Sequence, residues 1–178
     1  MVTNSKSSTQ NTQAMNKISV KDIAIIGVMV AVIEACKFAF AAIPNVELTS
    51  FWIITFTLMF KKRIFIVIPV FILIEGAVYG FGLWWIMYLY AWPLLAILTL
   101  VLKKNNSAWL WSVISGMFGL LFGLLCSIPY LFVGGPETAF AWWIAGIPWD
   151  VVHGVSNFVI MLVLYHPITK AMKKLHME

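Results

Sequence analysis

The chain has 178 residues, of which 62% are hydrophobic and 11% charged, and carries a formal net charge of +5 at neutral pH. That apolar load, with nine Trp and thirteen Phe, exceeds what a soluble domain of this size can hide, which excludes an ordinary soluble globular protein. The basic residues stand in short clusters beside apolar runs, where anionic headgroups and insertion rules account for them, so the positive charge is not a nucleic-acid signal.

Residues 1–17 are polar and rich in Ser, Thr, Asn and Gln. They lack the charged-then-apolar pattern of a secretory signal and read as a disordered cytoplasmic tail. From Ile18 onward the spacing of apolar runs predicts six transmembrane helices, each needing about 20 apolar residues to cross a core of roughly 30 Å. The first runs from Ile18 to Ile43, where Pro44 stops it. The second, from Leu48 to Phe60, is short and must thin the bilayer, borrow the preceding loop, or be shielded by neighbours. The third covers Ile64 to Tyr79, the fourth Leu83 to Leu102, the fifth Ala108 to Phe132 and the sixth Thr138 to Tyr165. Residues 18–170 thus form one all-α membrane domain, followed by a short cytoplasmic tail, 171–178.

Charge orients this bundle. Lys6 precedes the first span and Lys17 and Lys21 stand at its starting end; Lys61, Lys62 and Arg63 fill one gap, and Lys103 and Lys104 another; Lys170, Lys173 and Lys174 follow the last span. The alternate gaps hold no basic residue and two acids, Glu47 and Glu137. By the positive-inside rule both termini are cytoplasmic, in a multi-pass cell-membrane protein. Cys36 and Cys126 lie inside apolar stretches and read as free thiols.

Two features of the spans suggest close packing. Gly27, Ala31, Ala35 and Ala39 repeat every four residues along one stripe of the first span, and Gly119 and Gly123 form a GxxxG pair on the fifth. Charged groups at membrane depth need a partner or a purpose. Glu34 and Lys37, three apart, suit an ion pair on one helix face. Glu75 lies on the third span. Asp150, His153 and Asn157 share a face of the sixth, as a polar seam that either locks helices together or ends at a ligand.

Catalysis finds little support. A DxxH pair is a weak metal signal, since zinc wants three or four converging ligands, and no HExxH, GxSxG or serine-histidine-acid pattern occurs. The P-loop pattern is also absent, so the chain is not expected to hydrolyse ATP itself, nor to be an enzyme or hold a metal or cofactor. The aromatic residues Trp84, Trp85, Tyr88, Trp92, Tyr130, Trp142, Trp143 and Trp149 lie on the outer halves of the last three spans. Some suit a headgroup belt; Trp92 and Trp149 sit too deep for that, and aromatic walls with a few polar groups suit a pocket for an organic ligand.

Six short spans, cytoplasmic termini, the AxxxA stripe Ala31-Val32-Ile33-Glu34-Ala35 and the loop Ile43-Pro44-Asn45-Val46-Glu47-Leu48 together resemble the substrate-binding S component of an energy-coupling factor vitamin transporter. The segments Glu75-Gly76-Ala77-Val78-Tyr79-Gly80 and Phe118-Gly119-Leu120-Leu121-Phe122-Gly123 are similar to that family as well. The resemblance implies a high-affinity binding subunit for a vitamin or related micronutrient, energised by a membrane coupling protein and two cytoplasmic ATPases. It also implies that Ala31 and Ala35 meet the coupling protein and that the Pro44–Ser50 loop covers the ligand. The expected substrate contacts are Asn45, Glu47, Glu75, Trp84, Trp85, Tyr88, Tyr130, Trp143, Asp150 and His153. The outer loops hold no Lys or Arg, which disfavours a multiply anionic cargo. Within the family the chain looks most like cobalamin-type members; pantothenate and a queuosine precursor remain open. The rival is a stand-alone carrier or an intramembrane enzyme using Asp150 and His153.

Overall fold

A computed structural model describes residues 18–177 of the chain, with side chains through Lys174; the expected tail, 1–17, with Lys6 and Lys17, lies outside the described residues. The described residues are helical and contain no strand. Helix α1 is Val20–Phe40, α2 Thr49–Phe60, α3 Ile64–Tyr79, α4 Leu83–Leu102, α5 Ala108–Leu120 and α6 Phe122–Met177, with a turn of 3-10 helix, Lys61–Arg63, between α2 and α3. By length and composition three stretches can cross a membrane: α1, α4 and the run Ala108–Lys174. The helix continues through 171–177, where the sequence suggested a tail.

Local chemistry sets the helix ends. Ser19 caps α1 in a capping box: its Oγ accepts from the Asp22 amide at 3.1 Å, and Asp22 Oδ2 accepts from the Ser19 amide at 3.1 Å. Asp22 also pairs with Arg63 at 2.5 Å, which brings the basic turn to the start of α1. Lys21, Phe60 and Met172 line one groove, so the end of α6 arrives at the same place. Three of the basic clusters therefore gather at one end of the bundle.

The 56-residue α6 is not one rod. Gly135 takes φ 78°, a conformation that a side chain disfavours, and Pro136 follows where a new helix starts. Contacts then pair residues of falling number with residues of rising number. Tyr130 stacks on Trp142 at 5.0 Å, the Gly123 amide donates to Asp150 Oδ1 at 2.9 Å, and Gly119 faces Gly154. Residues 122–134 and 136–177 are therefore antiparallel limbs, and α5 runs into the first limb with only Leu121 between them. The expected fifth and sixth spans are the two arms of this hairpin.

Glycine is what lets the arms approach. A Cβ on Gly119 would stand 2.8–2.9 Å from the backbone of Gly154 and His153, which cannot rotate away. Gly119→Ala is expected to lower stability by about 1–3 kcal/mol, as overpacking does. Gly27→Ala, where nothing lies within 4 Å, should be neutral or slightly stabilising. Thermal unfolding of both variants in nanodiscs checks the contrast.

Helix α2, at 12 residues, is about 18 Å long, well short of a hydrocarbon core. The preceding loop enters the bundle ahead of it. Residues 41–48 descend along α6 to the level of His153, so α2 starts partway down the bundle, and Leu48, Thr49 and Ser50 are buried. The loop's backbone is satisfied on the way: the Ser50 amide donates to the Glu47 carboxylate at 3.0 and 3.2 Å, and the Asn45 carbonyl accepts from Ser156 Oγ at 3.1 Å.

Candidate functional site

The expected pairing of Glu34 with Lys37 is corrected by the fold. Lys37 turns across to α3 and forms its ion pair with Glu75, while donating to Tyr88 Oη at 3.3 Å. Spacing along one helix made Glu34 the nearest candidate, but the tertiary fold presents Glu75 on a facing helix. The Lys37 ammonium also stands 5.0–5.6 Å from the rings of Phe71, Tyr79 and Tyr88. Rings and carboxylate together make a cation cage. Glu75 is 1% exposed and Lys37 25%. Glu34 is left buried, both its oxygens without a hydrogen-bond partner.

Beside this ion pair lies a chamber of about 310 Å³, lined by Lys37, Ala41, Glu75, Tyr79, Trp84 and Tyr88. Helices α1, α3 and α4 form it, at the end where α1 gives way to the descending loop. Of the expected contacts it gathers Glu75, Trp84 and Tyr88. Lys37 was visible in the sequence but assigned elsewhere; Ala41 and Tyr79 carried no signal.

A second polar group holds the loop. Along one face of α6, His153 Nε2 meets Glu47 Oε1 at 3.1 Å, Ser156 Oγ donates to the Asn45 carbonyl, and Asn157 Nδ2 donates to Ser50 Oγ at 3.1 Å. The seam expected on the sixth span thus ends at the loop, and Asp150 ends at Gly123. The Glu47 carboxylate thus takes its partners from His153 on α6 and from the Ser50 amide at the start of α2.

Aromatic rings join the two groups. Trp84 meets Tyr88 edge-on at 5.3 Å, Tyr88 meets Trp92 at 5.3 Å, Trp92 meets Phe122 at 5.5 Å, and Phe122 meets His153 at 5.1 Å. Trp92 and Phe122 are the links that sequence reasoning left out of the site; Trp92 was noticed only as an aromatic set too deep for a headgroup belt. Along this column Trp92 Nε1, His153 Nδ1 and Asp150 Oδ2 are buried with no protein partner.

The remaining expected contacts lie elsewhere. Trp85 turns its indole N–H to the Ile72 carbonyl at 2.9 Å and packs on Phe81. Tyr130 pairs with Trp142, and Trp143 with Phe140, on the hairpin arms toward Gly135. Trp149 is 53% exposed on its hairpin arm, whereas Trp92 is in the core. Both cysteines are free, with Cys36 Sγ accepting from Trp52 Nε1 at 3.2 Å. Among the described residues no three His, Cys, Asp or Glu side chains converge as metal ligands. The chain matches no protein-family model, no curated protein and no solved structure.

Proposed function

We propose that this chain is the substrate-binding S component of an energy-coupling factor transporter, importing a vitamin or related micronutrient with energy supplied by a coupling protein and two ATPases. On this reading it crosses the cell membrane six times: α1, α2 with its descending loop, α3, α4, α5 with the first limb of α6, and the second limb. The basic end is cytoplasmic, and the chamber beside Lys37 opens outward. The observation that carries the reading is the loop after α1, folded into the bundle and pinned by three contacts to α6 beside an aromatic chamber. A second support is that Gly27, Ala31, Ala35 and Ala39 are all exposed on one stripe of α1, open to a partner helix.

The chamber volume sits at the lower end of small-molecule sites. A compact vitamin fits as the chamber stands. Cobalamin, which the resemblance favours, requires the 41–48 loop and the 80–82 turn to swing out. Mass spectrometry of ligand co-purifying with the protein, then titration against a vitamin panel, tests the reading. Ala31→Trp and Ala35→Trp are expected to reduce uptake in cells to background while ligand affinity stays within about twofold, since both side chains are exposed and neither lines the chamber. Binding lost in step with uptake would sink the proposed division of labour. Uptake by proteoliposomes holding only this chain would establish a stand-alone carrier instead. An intramembrane enzyme using Asp150 and His153 is disfavoured because these two side chains face different partners, Gly123 and Glu47.

A further inference from the structure

A second concavity of about 510 Å³ runs along the outside of the bundle, between α1, α2 and the end of α6. Val28 and Val32 form one wall, Trp52, Phe56 and Phe60 the other, and Met172 closes the lower edge. Trp52 keeps the wall apolar: its indole N–H is turned inward to Cys36, and its ring stacks on Phe56 at 5.0 Å. The only charged residue lining the groove is Lys21, at its end.

Length and charge say what fits. From Lys21 to Val32 is eleven residues of α1, about 16 Å of helix, and half of a hydrocarbon core is about 15 Å. The groove is therefore one leaflet deep. Its mouth is cationic. Lys21 has no ion-pair partner among the described residues, and neither do Lys61 and Lys62, which directly follow the lining residue Phe60. Arg63, by contrast, is taken up by Asp22. The small-residue stripe of Gly27, Ala31 and Ala35 is centred about a quarter of a turn around α1, and none of the three lines this groove.

From these we infer that the groove is a binding site for an anionic phospholipid of the leaflet at the basic end, one acyl chain lying against Val28, Val32 and Phe56 and the phosphate held by Lys21, Lys61 and Lys62. The apolar wall does not itself select a lipid, because bilayer tails are as apolar as the groove. Selection comes from the lysines, each of which is a factor of about five in attraction to an anionic surface. Three give a preference of about a hundredfold at most, and about tenfold once screening by salt is allowed for. This inference needs the chain to lie in a membrane and does not depend on the transport reading.

Native mass spectrometry of the full chain, released from mixed micelles of equimolar palmitoyl-oleoyl phosphatidylglycerol and phosphatidylcholine, tests it. The expected result is one phosphatidylglycerol retained about tenfold over phosphatidylcholine. The triple variant Lys21→Ser, Lys61→Ser, Lys62→Ser should lose that preference with an unchanged melting temperature, and Val28→Trp, which fills the groove, should lower retention of both lipids. Equal retention by the wild type, or a preference that survives in the triple variant, overturns the assignment. So does a Phe60→Cys variant, on the groove wall formed by α2, that crosslinks to another protein in native membranes, which would give the groove to a partner helix. None of these outcomes touches vitamin binding, so the transport proposal stands or falls separately.

Discussion

Glu75→Gln is expected to be among the most damaging single substitutions in this chain. The change keeps the shape of the side chain but removes the paired carboxylate, leaving the Lys37 ammonium the Tyr88 hydroxyl, three ring faces and the charges of Glu34 and Glu47 beyond ion-pair reach. Stranding one member of a buried ion pair typically costs about 3–5 kcal/mol. The cation–π contacts return about 0.5–2 kcal/mol of that, so a loss near 3 kcal/mol is the expected reading from unfolding in nanodiscs. The double variant Lys37→Met, Glu75→Gln should recover most of it, because no charge is then left without a partner. If the single and double variants are equally unstable, the pair is not what holds α1 against α3. Glu34→Gln, by contrast, should be neutral or stabilising, since it replaces a buried group that has no hydrogen-bond partner with an uncharged one.

The second large effect concerns the Glu47 anchor. Its carboxylate meets His153 Nε2 and accepts from the Ser50 amide, which ties the loop to α6 and to the start of α2. A hydrogen bond to a charged group contributes about 1.5–3 kcal/mol. Glu47→Gln should remove about that amount. Because the anchor is local, hydrogen exchange of the amides in 45–50 should report it most directly, with protection falling roughly ten- to a hundredfold. His153→Ala should behave in the same way. Protection unchanged in both variants would mean that Asn157 and Ser156 hold the loop without help from charge.

Much of this molecule is legible one residue after another. Apolar runs bounded by Pro, Gly and Lys mark most helix limits to within a few residues, because a backbone in apolar surroundings must satisfy its own hydrogen bonds and only a helix does so segment by segment. The last helix, though, runs on to Met177, twelve residues past Tyr165. The glycine pair at Gly119 and Gly123 announces the close approach of the hairpin arms, and the spacing of Asp150, His153 and Asn157 announces one shared face. The ion pair shows where such reading stops. Glu34 and Lys37 have good helical spacing, yet Lys37 closes on Glu75, 38 residues away, because α3 brings a carboxylate within reach across the interface.

The aromatic residues mark the same boundary. Trp92 and Trp149 look alike in sequence; one is buried among Phe71, Tyr88, Phe118 and Phe122, and the other faces outward from a hairpin arm. Composition and the placement of lysines were enough to establish a helical chain suited to a bilayer and the grouping of basic residues between its apolar runs, since both follow from transfer energies that each segment carries alone. Which carboxylate meets Lys37, how far the loop after α1 descends, and which rings connect the chamber to His153 were settled by folding. Those are contacts between segments distant in the chain, and their energies exist only once the helices have packed.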